Sequence, residues 1–166
     1  MSSVLPGRFT AQADEPFVVF LIGMRINRLR ALHKWLPVFM SMPPMLIDLQ
    51  KHPEKGMLGS RLYWSGRVIQ LVQYWRTFEQ LEKFARSADD PHLGPWQKFN
   101  KAVGKSGIVG IFHETYLVEP GKFEAVYANM PQFGLAAATE HVPAVGRRET
   151  ARRRLGGQNE PAVAVL

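Results

Sequence analysis

Cysteine is absent from the 166 residues. That excludes disulfides, thiolate metal sites, thiolate haem ligation and a cysteine nucleophile. Long apolar runs are absent too. The best one, Phe17 to Ile22, is far too short to cross a bilayer. Met1 to Asp14 lacks the charged start, apolar run and small-residue cleavage site of a secretory signal. A cytoplasmic location without a membrane partner is therefore the expectation. There is no GxGxxG, P-loop, GxSxG or CxxCH, so neither a nucleotide cofactor nor covalently attached haem is expected. Noncovalent haem needs little more than one histidine and an apolar cleft, and it stays open. No internal repeat is present.

What is there describes a globular protein. Hydrophobic residues make up 46% and charged residues 21%, ordinary values that argue against wholesale disorder. The length suits one domain, able to bury roughly two-thirds of its unfolded surface. Net charge is +7. From Arg147 onward, five arginines (147, 148, 152, 153, 154) oppose Glu149 and Glu160, so that segment carries +3 and the body +4. The expected organisation is one domain over residues 1–146 and a flexible basic tail over 147–166. Such a tail gives salt-dependent nonspecific affinity for nucleic acid at most, since no helix-turn-helix, zinc or RNA-recognition pattern accompanies it.

The chain alternates strand and helix signals. FVVFLIGMRI (17–26) is apolar on both faces, as in a central buried strand. Between Arg28 and His52 an apolar stripe of Leu32, Trp35, Leu36, Phe39 and Met40 predicts a helix. Pro43-Pro44 should break it and open a second, shorter one. Arg61–Trp64 and Val68–Arg76 read as a hairpin around Ser65-Gly66. Thr77 and Gln80 form a capping box that opens a helix through Phe84, closed by Asp89-Asp90-Pro91. A short helix near Trp96–Val103 follows. Ile108–Val118 is a strong strand, Pro120-Gly121 a turn, and Phe123–Ala128 a last short strand.

The order β-α-β-β-α-β with an extra strand is the split βαβ pattern, an α+β class fold of the ferredoxin-like kind. It covers one sheet face with helices. The other face carries Phe, Tyr and Trp, too large a patch to leave open. A homodimer that pairs two sheets through a twofold axis, a dimeric α+β barrel, covers it.

Several stretches carry a family resemblance: FLIGMRIN (20–27), KWLPVFMSMPPML (34–46), QYWRTFEQLEKFAR (73–86), GIFHETYLVEPGKFEAVYANMP (110–131) and GLAAAT (134–139). Together they resemble a domain-of-unknown-function family of bacteria and fungi whose members are often called monooxygenase family proteins. The resemblance runs from about Leu5 to Leu155. It implies the dimeric α+β barrel. It also implies distant kinship with cofactor-independent antibiotic-biosynthesis monooxygenases and with haem-containing aldoxime dehydratases. A fold of this kind hosts many chemistries.

Particular residues then become candidates. His113 sits mid-strand, sharing a face with Ile111, Thr115 and Leu117. A histidine there can be a general base, a haem ligand or a hydrogen-bonded core group. Glu114 points the other way, and HETY is not the zincin HExxH. Arg25 ends an apolar strand, where a guanidinium needs a partner: Glu114, a substrate carboxylate or a haem propionate. Tyr63, Trp64, Tyr74, Trp75 and Tyr116 lie on neighbouring strands. They can stack a flat substrate and offer a phenol for proton transfer, or they form core and dimer interface. Asn129 can orient a substrate carbonyl or form a turn. His33, on the first helix, is either a second possible haem ligand or an exposed surface group; His52, His92 and His141 lie in or near loops. The function this suggests is oxidation of a flat or apolar small molecule in an aromatic-lined pocket by a monooxygenase. His113, Arg25, Tyr116 and Glu114 would be catalytic, Trp64, Tyr74, Trp75 and Asn129 substrate-binding. The cofactor would be none, or noncovalent haem on His113 or His33. The alternatives are a haem enzyme similar to aldoxime dehydratase and a non-catalytic ligand-binding dimer.

Overall fold

A computed structural model describes residues 3–86 and 106–158. The expected helix near Trp96–Val103, the stop at Asp89-Asp90-Pro91, His92 and the tail beyond Gln158 lie outside the described residues. The packing forms two compact units within the chain. One comprises Val18–Tyr116, the other the two ends, up to Phe17 and from Leu117.

In the Val18–Tyr116 unit, β2 (Phe17–Ile26) leads through helix α1 (Leu32–Lys51) to β3 (Met57–Ser65) and β4 (Val68–Trp75). Helix α2 (Phe78–Arg86) and β5 (Val109–Val118) follow. The four strands form one sheet in the order β3-β4-β2-β5, with β4 antiparallel to both β2 and β3. This is the split βαβ arrangement expected from the sequence.

Alternation decides what each face carries. On β4, Ile69, Leu71, Gln73 and Trp75 are buried while Val68, Gln70, Val72 and Tyr74 are only half-buried. Register places Val18, Phe20, Ile22 and Met24 of β2 opposite Trp75, Gln73, Leu71 and Ile69. Both helices pack on this face. Met24, Ile26, Ile69 and Val109 hold Trp35, Val38 and Phe39 of α1, and Val18 and Trp75 pack with Leu49 of α1 and Leu81 and Phe84 of α2. The opposite face carries Val19, Leu21, Val72, Tyr74 and Phe112, half-buried, with Tyr63 and Tyr116 exposed.

Two expectations change here. The helix does not break at Pro43-Pro44; α1 runs unbroken from Leu32 to Lys51 with Pro37, Pro43 and Pro44 inside it. Each internal proline costs about 3 kcal/mol, but apolar packing on both sides of the pair, from Val38 and Phe39 to Leu49, holds the axis. The buried stripe also differs. Trp35, Val38 and Phe39 face the sheet, while Leu32, Leu36 and Met40 are exposed. At α2, Gln80 N donates to Thr77 Oγ1 at 3.2 Å as the capping box requires. The Gln80 amide, however, reaches Glu54 O instead of the Thr77 backbone.

The unit of the two ends holds a second sheet that the pattern only half revealed. β1 (Leu5–Gln12) lies between β6 (Tyr127–Met130) and β7 (Glu140–Pro143), antiparallel to both. β6 begins four residues later than the Phe123–Ala128 reading. The described part of the segment expected as a flexible tail carries local structure. Gly146–Arg148 make a 3-10 turn and Ala151–Arg154 one turn of helix. The Arg154 guanidinium pairs with Glu124, leaving its side chain 6% exposed. No helix among the described residues is long and apolar enough to cross a membrane.

Candidate functional site

The helix-covered face does not close completely. A cavity of about 440 Å³ lies between it and the two helices. Its floor includes Phe20, Ile22, Leu71 and Ile111, and its roof is Met42, Met45 and Leu46 of α1 with Phe78 and Leu81 of α2. Its polar lining consists of Ser41, Gln73, Glu82, His113 and Thr115. Ser41 Oγ donates to Val38 O at 2.6 Å, which turns it to its own helix.

Glu82 pairs with Arg86 at 3.0 Å, which leaves His113, Gln73 and Thr115 as the groups with chemistry to offer. Gln73 is buried in the floor, and its Oε1 accepts the indole N–H of Trp75 at 3.0 Å. An indole only donates, so this bond fixes which end of the amide is oxygen. The amide nitrogen, with two donors, has no hydrogen-bond partner among the described residues. His113 is exposed and tilts against Phe20, ring centroids 5.9 Å apart. Phe20 pairs with Gln73 across β2 and β4. The imidazole and the amide thus stand on either side of the Phe20 ring, two strand spacings or about 10 Å apart.

The other expected site residues sit elsewhere. Glu114 and Tyr116 are on the opposite sheet face, joined by a short hydrogen bond from the phenol to Glu114 Oε2. That bond, and then the carboxylate's charge, push the Tyr116 phenol above the usual tyrosine range. Arg25 donates to Asn27 Oδ1 rather than pairing with Glu114. Trp75 is fully buried against Phe84. Trp64 is 60% exposed, its indole donating to Gly66 O at 3.0 Å. Tyr74 is on the open face. Asn129 belongs to the other unit, where it adopts φ 52° and accepts from Gly7 N at 3.0 Å. His33 is exposed on α1 and does not line the cavity. Among the described residues no cluster of three His, Asp or Glu could hold a metal ion. Gln73 was missed although its signal was present: it is the one polar residue on the Ile69-Leu71-Trp75 side of β4.

A split βαβ sheet with both helices on one face, roofing an apolar cavity, defines a ferredoxin-like α+β protein with a small-molecule-sized pocket. The model of the monooxygenase af470-like family matches residues 17–135, and the chain belongs to that family. Monooxygenase af470 of Aspergillus fumigatus is 27% identical over 151 residues, covering 78% of this chain and 53% of that protein. The chain therefore spans about half the length of this curated relative. Among solved structures, an aldoxime dehydratase superposes with a TM-score of 0.61 at 18% identity, over 81% of this chain and 43% of that one. That likeness supports the fold. SnoaB, a cofactor-independent oxygenase of Streptomyces nogalater, aligns with a TM-score of 0.43 at 12% identity, over 64% of this chain and 95% of that one.

Proposed function

We propose that the chain is a monooxygenase that oxidises a flat or apolar small molecule in the cavity between the sheet and the two helices. The observation that carries this is the lining: largely apolar side chains, with the His113 imidazole and the Gln73 amide on either side of the Phe20 ring. Such a cleft favours an uncharged body with a polar group at each end.

The chemistry needs no cofactor. His113 accepts a proton from an acidic C–H beside a substrate carbonyl or phenol. The Gln73 amide donates to the oxygen on which negative charge then develops. The carbanion gives one electron to O₂, and the radical pair recombines as a hydroperoxide at that carbon. Loss of water leaves a new carbonyl. The balance is substrate-CH₂ plus O₂ giving substrate-C=O plus H₂O.

Haem is the second reading, supported by the histidine on the cavity wall. The described lining offers iron one imidazole, but it has no Lys or Arg for the propionates and it carries Glu82. It fits a neutral organic molecule better than a haem.

The experiment is oxygen uptake by the full chain with a panel of flat phenols and benzylic ketones, alongside a haemin titration. Uptake that His113→Phe abolishes without changing the melting temperature supports the proposal. A strong Soret band at one haem per chain, lost in His113→Phe, would favour the haem reading. Uptake unchanged in that variant overturns the role of His113. The half-buried and exposed apolar groups of the open sheet face support a second copy of the chain as their cover. Sedimentation should show a dimer at micromolar concentration, burying at least about 1,000 Å².

A further inference from the structure

The unit formed by the two chain ends holds its own cavity, about 720 Å³, and its walls are unlike those of the first. Arg147, Arg148, Arg153 and Arg154 line it, and no Asp or Glu does. The four guanidiniums are not equivalent. Arg154 is neutralised: it pairs with Glu124 and also donates to the carbonyls of Arg148 at 2.6 Å and Glu149 at 3.1 Å. Arg153 donates to Gly146 O at 3.1 Å and lies 3.7 Å from Glu149 Oε2. Arg148 donates to Gln12 Oε1, a neutral acceptor. Arg147 makes no hydrogen bond or ion pair among the described residues. Two adjacent positive charges on the wall therefore meet no carboxylate.

Other walls suit a ligand larger than a bare ion. Gly121, Gly156 and Gly157 present backbone without side chains. A Cβ built on Gly121 or Gly156 meets nothing within 4 Å, so that side is open. Phe123 adds a flat apolar surface, held edge-on by Phe17 at 5.2 Å between ring centroids.

We propose that this cavity binds a small phosphorylated molecule, its phosphate on Arg147 and Arg148 and its organic part against Phe123. The planar guanidinium fork matches phosphate oxygens bidentately. A phosphate near −2 balances the two unneutralised charges, where a single carboxylate balances one. A cavity of this size, with Phe123 on one wall and the arginines on another, suits a metabolite rather than a passing nucleic-acid strand. The inference concerns the unit of the two ends and does not depend on the oxidation proposed for the other cavity.

The test is calorimetric titration of the full chain with inorganic pyrophosphate at about 150 mM salt, where exposed charges farther apart than about 8 Å are screened. The expected result is saturable one-to-one binding. It should weaken about tenfold or more, ~1.4 kcal/mol, in the Arg147→Gln/Arg148→Gln variant. Arg147→Lys/Arg148→Lys keeps the charge without the fork and should lie between. Equal melting temperatures of the three proteins show that the loss is local. If the double Gln variant fails to fold, the Lys variant carries the test, and unchanged affinity there overturns the bidentate site. Absence of saturation overturns the proposal. So does citrate binding more tightly than pyrophosphate, or single-stranded DNA displacing pyrophosphate with an affinity that grows with its length.

Discussion

Gln73 and Trp75, two residues apart on one face of β4, are joined by a bond from the indole nitrogen to Gln73 Oε1 at 3.0 Å. Trp75 is wholly buried and Gln73 nearly so, so each satisfies a group that would otherwise be stranded. The same bond fixes the orientation of an amide whose residue lines the cavity. Replacing Gln73 by Leu should cost about 1–3 kcal/mol, the penalty of an orphaned buried N–H. Trp75→Phe removes the donor instead. A double-mutant cycle should show coupling of about 1 kcal/mol in urea melts. Simple additivity would show that the bond contributes nothing.

Gly23 makes a sharper steric prediction. On the open sheet face, a Cβ at this position would lie 2.6 Å from Phe112 Cζ and 2.7 Å from Ile69 O. The phenyl ring can shift, but a backbone carbonyl in the ladder cannot move cheaply. Gly23→Ala should therefore destabilise by about 1–3 kcal/mol through overpacking. Gly23→Ala in a Phe112→Ala background separates the two contacts. Full recovery there would show that only the ring matters.

Period-two alternation made much of this legible in the sequence. It places His113 with Ile111 and Thr115, and Glu114 with Tyr116, on opposite faces of β5, as found. It could not say which face the helices cover. That depends on tertiary packing, and the answer puts His113 on the cavity wall and leaves Arg25, Glu114 and Tyr116 off it. The helix face also proved to be neither a sealed core nor an open barrel lining, because α1 and α2 leave a cavity over Phe20 and Leu71. Sheet β6-β1-β7 was hidden for another reason. β6 and β7 have only four residues each, and β1 contains Pro6 and Gly7, which read locally as breakers. The turns at Gly146–Arg148 and Ala151–Arg154 were masked by composition, since arginine-rich sequence looks solvated until a partner such as Glu124 is known.

The Tyr116–Glu114 pair predicts a pH signature. The hydrogen bond and the carboxylate's charge favour the neutral phenol in the folded protein, so its pKa is raised. The interaction is fully present below the ordinary tyrosine range and is lost as pH rises through the raised value. Alkaline titration of tyrosinate absorbance should show one phenol ionising later than the rest. Glu114→Gln should return it to the ordinary range. A wild-type curve that overlays the variant's would contradict the pair.

Arg154 sets the fate of the C-terminal segment. Its guanidinium is nearly buried and pairs with Glu124, itself only partly exposed. Removing one partner strands the other. Arg154→Ala should lower stability by about 1–3 kcal/mol, and ending the chain before Arg147 should lower the melting temperature by several degrees. A truncated chain that melts with the full one would show that this segment adds no stability.

His113→Phe tests the cavity itself. His113 is exposed and has no hydrogen-bond partner among the described residues, so its loss strands no buried group. The phenyl ring keeps the tilted contact with Phe20, at present 5.9 Å between centroids. Stability should therefore change by less than about 0.5 kcal/mol, as for surface substitutions free of special features. Turnover should fall by about 10²–10⁴-fold, the usual contribution of one positioned acid–base group. His113→Gln adds a control, because an amide can accept a hydrogen bond from a substrate but cannot carry its proton at neutral pH. If His113 moves a proton, Gln should retain ligand binding, read by calorimetry, while losing turnover as Phe does. If it only orients the ligand, Gln should keep most of both. A large loss of melting temperature in His113→Phe would show instead that the imidazole is structural.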